Sequence, residues 1–495
     1  MKKLSAFSLI LCLILLVQTL AVPAFATETQ TNDPFAAEVS SPEVPFGSAE
    51  ILNGCRTIEA QVPLGGSDRM LESAVSALIY ERNTGTIVYA YNPDLIMQPG
   101  TLTKLVTAIV AIQNGNLDDE VTISSRNYKY LPAGAKNAKL REGEIMTLRD
   151  LLYCMILEWA NDAAVTIAEH IAGTQEEFVK MMNDWVQKEA GCKETRFADC
   201  HGLGSEGQQT TARDLVRIIE EACKSSAFRE LFGANNYTVP ATNETETARN
   251  LKSLNYLKEE TIVPKYNFKG VTGGIAHYSA ASGASLVCTA EKNGMSYTVV
   301  VMGCERKFNE KKSWVVEYYG NYEEAWNLLD YAFSKYKICR LLHEGYALKQ
   351  FTVAGGENEV VAQSHTNMDA ILPVEAHQRQ LIFKYSVQGG GLTAPIAYDQ
   401  KVGTLQIFYR TSCIAETELF AMSSVRALDQ LDLDIQSAAT RDDSNLSGFL
   451  TFLGIACLII LLPLVAYVVI NNIRRIIARG QRRRRRKSRR RSRGL

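Results

Sequence analysis

The chain has 495 residues and a formal net charge of −1, but its positive charge is concentrated at the C-terminus. Residues 471–495 carry 13 Lys and Arg side chains and no acid. Removing these charges and those of Lys2 and Lys3 from the total leaves −16 for residues 27–447. A segment this acidic is excluded as a general binder of polyanions, so we expect no nucleic-acid partner for it.

The cysteines and histidines exclude two further classes of protein. The 11 cysteines are an odd, scattered set without a CxxC pair, which argues against a disulfide framework. Cys192 and Cys200 are near enough in sequence to pair, although two buried free thiols would fit equally well. The six histidines form no HExxH or other close ligand spacing, so we expect no metal ion.

The N-terminus has the pattern of a secretory signal peptide. Two lysines precede a largely apolar run from Phe7 to Leu20, and Ala24-Phe25-Ala26 is a small-x-small cleavage site. We predict a signal peptide over residues 1–26, with an uncleaved N-terminal anchor as the alternative. Residues 27–71 are rich in Pro, Ser, Thr and Glu, which predicts a flexible lead-in.

The next part of the chain mixes strand and helix patterns. Alternating apolar residues predict a strand from Val75, a turn at Asn83 and a return strand from Thr86. The apolar spacing predicts helices at 102–114, at 147–173 with Thr147 as the N-cap and a break near Trp159, from Thr211, and at 321–337. Asn293-Gly294 lies between two apolar runs and predicts a β-hairpin.

From residue 338 the pattern changes to short alternating runs separated by Gly and Asn, which predicts a small all-β sandwich over residues 338–437. Residues 438–447 form a mostly polar linker. Residues 448–470 then carry no charge, and this length of 23 residues is sufficient to cross a bilayer as a helix.

The basic tail at 471–495 sets the predicted topology. The positive-inside rule places it in the cytoplasm, so residues 27–447 are expected outside a cell membrane that is crossed once. Binding of the tail to nucleic acid or anionic lipid is the alternative reason for its charge, and lipid contact is compatible with the predicted topology.

The run Thr101-Leu-Thr-Lys104 places a hydroxyl and an amine three positions apart near the start of a predicted helix. Side chains at i and i+3 lie on one helix face, so Lys104 is within reach of the Thr101 hydroxyl. A hydroxyl beside an amine that can take its proton is typical of an acyl-transfer nucleophile and its base. Taken alone, Thr101 would also suit a helix N-terminus and Lys104 a solvated surface.

Three motifs in this order resemble those of the D-alanyl-D-alanine carboxypeptidases, which are low-molecular-weight penicillin-binding proteins. The motifs are Thr101-x-x-Lys104, Trp159-Ala-Asn161 and Thr272-Gly273-Gly274. The resemblance covers residues 72–337 as the catalytic domain and residues 338–437 as the family's C-terminal β domain. It implies an α/β (α+β) fold of the β-lactamase/transpeptidase-like type, followed by the β-sandwich and the single membrane helix.

The resemblance also implies a role for each motif residue. Thr101 stands at the nucleophile position, where the family has serine, and Lys104 stands at the position of the general base. Trp159 replaces the serine of the second motif, whose Asn161 is retained. An indole offers only one N–H donor in place of a small hydroxyl that could shuttle protons.

The third motif, a Lys-Thr-Gly that binds substrate in the family, lacks its lysine here. An alignment without gaps places Thr272, Gly273 and Gly274 at these positions, and the alternative alignment places Val271 at the lysine. Lys269 could supply the cation only if the strand bulged by two residues, whereas ordinary bulges add one.

Two hypotheses follow from these substitutions. In the first, the chain is a membrane-anchored homologue in peptidoglycan metabolism that is catalytically impaired or inactive, and it binds stem peptides ending in D-Ala-D-Ala or serves as a scaffold for a protein partner. In the second, it is an active carboxypeptidase with Thr101 as acyl nucleophile and Lys104 as general base. The resemblance further implies β-lactam binding, and neither hypothesis requires a cofactor.

Overall fold

The computed structural model describes residues 63–65, 70–124, 131–204, 206–258, 263–312 and 315–428. The predicted signal peptide, most of the lead-in, the linker, the membrane helix and the basic tail lie outside these residues. Within the described ranges, no helix is both long and apolar enough to cross a bilayer.

The helices, in chain order, are α1 Thr103–Asn114, α2 Leu148–Leu157, α3 Asn161–Ala172, α4 Gln175–Lys188, α5 Ala212–Ala222, α6 Ser226–Gly233 and α7 Gly320–Lys335. The strands are β1 Ser76–Glu81, β2 Thr86–Tyr91, β3 Glu120–Thr122, β4 Ile145–Thr147, β5 Asn236–Val239, β6 Arg249–Lys252, β7 Val271–Ser279, β8 Gly283–Lys292, β9 Met295–Cys304, β10 Arg306–Phe308, β11 Val316–Tyr319, β12 Tyr336–Leu342, β13 Ala347–Phe351, β14 Val353–Ala354, β15 Val360–Gln363, β16 Met368–Pro373, β17 Leu381–Val387, β18 Leu392–Thr393, β19 Lys401–Tyr409 and β20 Ser412–Ala421.

The described chain divides into two compact units. The first contains the described residues up to Leu342 together with Asn367–Lys384 and Gln406–Glu416. The second contains His343–Thr366, Tyr385–Leu405 and the described residues from Thr417 onward.

The first unit is built on a five-stranded antiparallel sheet with the order β2-β1-β9-β8-β7. Asn293 and Gly294 join β8 to β9 with φ angles of 53° and 78°, which confirms the predicted hairpin turn. Helices α5 and α7 both pack against β9, and neighbouring residues on both of its faces are buried. This burial explains why β9 contains an uninterrupted apolar run rather than an alternating one.

Helix α1 lies in the core of the first unit. All of its residues from Thr103 to Ala111 are buried, and Leu105 and Ile109 share one apolar cluster with Leu78 and Val300 of the sheet. The predicted helix at 102–114 is confirmed within one residue. It starts later because Gly100–Leu102 forms a 3₁₀ turn in which Gly100 has a φ of 53°.

The predicted break near Trp159 is confirmed, since α2 ends at Leu157 and α3 begins at Asn161. Thr147 caps α2 as predicted, because its hydroxyl accepts a bond of 3.1 Å from the Asp150 N–H. At the break, Trp159 has a φ of 59°. A bulky side chain rarely adopts this left-handed conformation, so a structural or functional reason is expected for it.

The predicted helix at 321–337 ends two residues early, at Lys335. Tyr336 already belongs to β12, which pairs with β16 and so takes these residues out of the helix. The other strands after β12 form a five-stranded sheet with the order β13-β15-β20-β19-β17 and a pair of β14 with β18, while β3-β4, β5-β6 and β10-β11 are separate two-stranded pairs. The predicted C-terminal β domain is confirmed, while its sandwich arrangement and the domain bounds stay predictions.

Candidate active site

A cleft of about 680 Å³ opens beside the 3₁₀ turn that precedes α1. Thr101, Trp159 and Asn161 line it, so the structure brings these three predicted site residues together. Thr101 comes from the turn, Trp159 from the α2–α3 break and Asn161 from the first position of α3. The end of β7 and the start of α7 supply further lining residues.

Lys104 lies beneath the cleft and is only 1% exposed, because it is in the first turn of the buried helix α1. Its Nζ donates a hydrogen bond of 2.7 Å to Asn161 Oδ1 and another to the carbonyl of His201. Asn161 Nδ2 in turn donates to the Lys136 carbonyl over 2.8 Å. Two of the predicted site residues, Lys104 and Asn161, are therefore joined in one hydrogen-bonded network.

Burial in this network lowers the pKa of Lys104 to about 8, since desolvation disfavours the charged ammonium. The nearby Asp199 and Asp162 oppose the shift but do not cancel it. An amine with this pKa is partly neutral near pH 7, as proton abstraction requires. This lowered pKa is compatible with the predicted role of Lys104 as a general base, and the role itself stays a prediction.

The Thr101 hydroxyl is bonded to His277 instead of Lys104. His277 Nδ1 lies 3.2 Å from Thr101 Oγ1 and accepts a bond of 3.1 Å from the Thr101 backbone N–H. A backbone N–H can only donate, so Nδ1 carries no proton and Nε2 does. Nε2 then donates to Ser282 Oγ over 3.0 Å.

Burial, together with the charge of Lys104, lowers the pKa of His277 to about 4. The ring is therefore neutral near pH 7, which matches the single proton assigned from its hydrogen bonds. Sequence reasoning missed His277 because the histidines were considered only as metal ligands. Its position near the end of an apolar strand was the available signal.

Glycine at position 100 makes the approach of His277 feasible. A Cβ atom on Gly100 would lie 2.2 Å from the imidazole, far inside van der Waals contact, and the φ of 53° also favours glycine. The ring therefore packs on the bare backbone next to Thr101. A side chain at position 100 would therefore be incompatible with the observed position of His277, although the two residues are far apart in sequence.

The structure does not bring Thr272, Gly273 and Gly274 into the cleft lining. Thr272 Oγ1 bonds Thr289 Oγ1 on the neighbouring strand at 2.7 Å, and a Cβ on Gly273 would meet the ring of Phe232 at 2.4 Å. These residues lie at the start of the nine-residue strand β7, whereas its other end reaches the cleft. On this strand the lining residues are Ala276, His277, Tyr278 and Ser279.

Trp159 lines the cleft, half-buried, with the Lys136 ammonium 5.7 Å from its ring centroid. This contact is within the range of a cation–π interaction. Lys136 thus contacts two residues of the second motif. Its carbonyl accepts a hydrogen bond from Asn161, and its ammonium lies near the ring of Trp159.

Cys192 and Cys200 are both free and buried. Cys192 Sγ lies 3.6 Å from the Asp214 carbonyl and Cys200 Sγ lies 3.6 Å from the Ala164 carbonyl. Of the two alternatives open from the sequence, the structure has free thiols. Across the described part of the chain, no group of three or more His, Cys, Asp or Glu residues could hold a metal ion.

Known proteins share this architecture. Residues 67–306 match the family model described as D-alanyl-D-alanine carboxypeptidase, and residues 336–427 match penicillin-binding protein 5, C-terminal domain. The chain is 26% identical to the D-alanyl-D-alanine carboxypeptidase DacF of Bacillus subtilis, with 78% of this chain and 90% of that protein covered. It is 28% identical to DacD of Escherichia coli, with 71% and 87% covered.

The crystal structure of penicillin binding protein 5 from Haemophilus influenzae matches with a TM-score of 0.57 at 25% identity, covering 73% of this chain and all of that one. The fold is therefore that of a penicillin-binding protein with a C-terminal β domain. The chain belongs to the D-alanyl-D-alanine carboxypeptidase family of low-molecular-weight penicillin-binding proteins, as its motifs predicted.

Proposed function

We propose that this chain binds peptidoglycan stem peptides ending in D-Ala-D-Ala and that its carboxypeptidase chemistry is strongly impaired. The family acts on such peptides and binds β-lactams, which supports the choice of ligand. The observation that carries the impairment is the double contact of His277 Nδ1 with the N–H and the hydroxyl of Thr101.

Acyl transfer at Thr101 would need both of these groups. The hydroxyl oxygen would have to lose its proton to a base and attack the peptide carbonyl. The Thr101 N–H would be a donor to the oxyanion that develops at the attacked carbonyl. Loss of one such donor typically costs about 10²- to 10³-fold in rate. His277 is a poor replacement for the base, because a ring with a pKa of about 4 accepts protons weakly near pH 7.

The second motif adds to the impairment without closing the cleft. Trp159 provides no hydroxyl for proton transfer to the leaving amine. The cleft still has a volume of about 680 Å³, which is within the range of ligand sites. The cleft is open to a ligand while the Thr101 hydroxyl is held by His277, and this combination supports peptide binding without hydrolysis.

Two measurements on the purified full-length chain test this proposal. We expect no covalent labelling by fluorescent penicillin and no D-alanine release from a pentapeptide. A peptide ending in D-Ala-D-Ala should nevertheless give saturable shifts in a ligand-observed NMR titration. Thr101→Ala is the matched control for labelling. Label that appears on wild type and disappears in this variant would overturn the impairment, and absence of peptide binding would overturn the binding role.

An active carboxypeptidase is the second candidate, and the network of Lys104 favours it. The pKa of about 8 and the bond to Asn161 give Lys104 the character of a base. If Thr101 is acylated, the label should be lost in both Thr101→Ala and Lys104→Met. The same labelling experiment therefore separates the two candidates.

We also propose that residues 448–470 anchor the chain in a bacterial cell membrane, with the tail at 471–495 in the cytoplasm. The uncharged run followed by 13 cations supports this topology. Membrane fractionation should recover the full chain in the pellet and a version ending at residue 447 in the soluble fraction. Recovery of both in the soluble fraction would contradict the anchor.

A further inference from the structure

A second cavity, of about 560 Å³, lies in the first compact unit and shares no lining residue with the cleft at Thr101. Its walls come from the end of α7, the start of β12, the end of β16, the turn between β19 and β20, and residues 63–65. The volume is within the range of small-molecule sites. The second cavity is therefore large enough for a ligand of its own.

One wall of the second cavity is a short segment fixed against the edge of the sheet. The N–H of Leu64 donates to the carbonyl of Ile87 on β2 over 3.1 Å. The N–H of Gly65 donates to the next carbonyl, that of Val88, over 2.7 Å. A Cβ atom on Gly65 would lie 2.6 Å from the hydroxyl oxygen of Tyr331, so only glycine fits there. Backbone hydrogen bonds and close packing thus form this wall without a ligand.

Tyr409 lines the second cavity with an unpartnered hydroxyl. The residue ends strand β19 and is only 1% exposed. Its ring centroid lies 5.3 Å from the guanidinium carbon of Arg410. Its hydroxyl has no hydrogen-bond partner among the described residues. Buried tyrosine hydroxyls usually have a partner, so this one indicates a ligand group that supplies it.

Two cations line the second cavity without pairing to an acid. Lys335 is the last residue of α7, and Arg410 follows β19 with a φ of 54°. Both side chains are exposed, and neither forms an ion pair within the described ranges. On the same hairpin, by contrast, Lys401 is paired with Glu418. Glu375 is the one acid of the described lining, which therefore has an excess of positive charge.

These side chains fit an oxyanion better than an apolar or a cationic ligand. Ammonium, guanidinium and phenol groups can all donate to phosphate or carboxylate oxygens. An apolar ligand would cover the Tyr409 hydroxyl and leave it unpaired, which costs free energy. A cation would be repelled by Lys335 and Arg410. Thr411 adds a further hydroxyl to the lining, which suits a ligand with hydroxyls of its own.

We propose that the second cavity binds the anionic group of a hydroxylated ligand, with Arg410 and Lys335 as the opposite charges and the Tyr409 hydroxyl as a donor. Polyol phosphates and acidic sugars share this chemistry. The second cavity has no residue in common with the candidate active site. The inference therefore goes beyond the proposed function and does not depend on it.

Ligand-observed NMR titration of the full-length chain tests the proposal with three probes. Two are anionic, sn-glycerol 3-phosphate and N-acetylmuramic acid, and the third is the neutral N-acetylglucosamine. We expect at least one anionic probe to bind roughly 10- to 100-fold more tightly than the neutral sugar, the range for a lost bond to a charged group. The anionic probe that binds distinguishes a polyol phosphate from an acidic sugar, and binding of both supports the shared chemistry.

Variants of the lining assign the binding to this cavity. Arg410→Gln should weaken the bound probe about tenfold or more, because it removes a charged donor. Tyr409→Phe should weaken it about threefold to tenfold, because it deletes only the hydroxyl. Lys401→Gln is the matched control, since it removes a cation of β19 that is paired with Glu418 and lies outside the lining. It should leave the affinity unchanged.

Three results would overturn the proposal. They are no binding of either anionic probe, equally tight binding of the neutral sugar, and wild-type affinity in both Arg410→Gln and Tyr409→Phe. Circular dichroism of each variant shows whether it is folded. Each of these results leaves the proposed function intact, because binding of the stem peptide is measured separately and takes place in the cleft at Thr101.

Discussion

At the scale of single residues, one imidazole nitrogen determines whether the N–H and the hydroxyl of Thr101 are available for acyl transfer. His277 Nδ1 contacts both the N–H and the hydroxyl of Thr101, so the two groups that acyl transfer needs share one partner. The ring is held from its other side by Ser282. Removing the imidazole ring should therefore change the reactivity of the Thr101 hydroxyl more directly than replacing Trp159 with the serine of the second motif would.

His277→Gly should make covalent labelling by fluorescent penicillin detectable, at about tenfold or more above the background signal of wild type, because it frees the oxyanion donor and the hydroxyl of Thr101. Gel fluorescence at several times gives the rate. Ser282→Ala is the control, since it removes the partner of Nε2 but leaves the ring on Thr101, and it should label like wild type. Labelling that stays unchanged in a folded His277→Gly chain would contradict this explanation of the impairment.

The same histidine predicts a loss of stability in mild acid. Its pKa is about 4 in the folded chain and 6.5 in an ordinary environment, so between these values the unfolded state binds a proton that the folded state does not. The free energy of unfolding should therefore fall as the pH drops from 6.5 to 4, by about 2–3 kcal/mol from this residue.

Urea unfolding at pH 7 and pH 4.5 measures this effect. His277→Asn cannot titrate in this range, so the drop in wild type should exceed the drop in the variant, and other acid-sensitive groups cancel in the comparison. An equal drop in the two proteins would show that His277 is not the source.

At the scale of elements, local patterns predicted most helices and the central hairpin. Thr147 before α2 and Asn293-Gly294 between β8 and β9 are signals that act within four residues, and both were confirmed. The end of α7 was misplaced because Tyr336 pairs across to β16, a contact that no local pattern encodes. The cleft end of β7 was missed for the same reason, since a strand pattern does not say which end faces the site.

Thr147→Val should reduce the free energy of unfolding by about 1 kcal/mol, because it deletes the hydroxyl that caps α2 while keeping the side-chain volume. The loss also frees the Asp150 N–H of the capping box. Thr122→Val on the exposed side of β3 makes the same exchange and should change stability little. Equal effects of the two substitutions in chemical denaturation would show that the cap does not stabilise the helix.

At the scale of the whole molecule, packing determines which of the described cysteines can react with reagents in solution. Six of those described are buried, while Cys339 and Cys413 are partly exposed. Burial raises the pKa of Cys192 and Cys200, which further lowers their reactivity. The folded chain should therefore be alkylated by iodoacetamide at Cys339 and Cys413 well before the six buried thiols.

Peptide mass spectrometry after alkylation gives the order of modification. In urea without reductant, all eight described cysteines should react. A pair at Cys192 and Cys200 that stays unmodified until reductant is added would contradict the free thiols of the structure.

The sequence by itself determined the family, most of the helices, the C-terminal β domain, and the grouping of Thr101 and Lys104 with Asn161. Helical periodicity, capping residues and motif spacing are properties of neighbouring residues, so they can be recognised without a fold. Only the tertiary structure decided that His277 contacts the N–H and the hydroxyl of Thr101, which lies 176 positions away in sequence. It also decided that Arg306 lines the same cleft. It also placed Thr272, Gly273 and Gly274 outside that cleft. These outcomes depend on which end of β7 packs against the turn before α1, and strand packing of this kind is settled by contacts between residues distant in sequence.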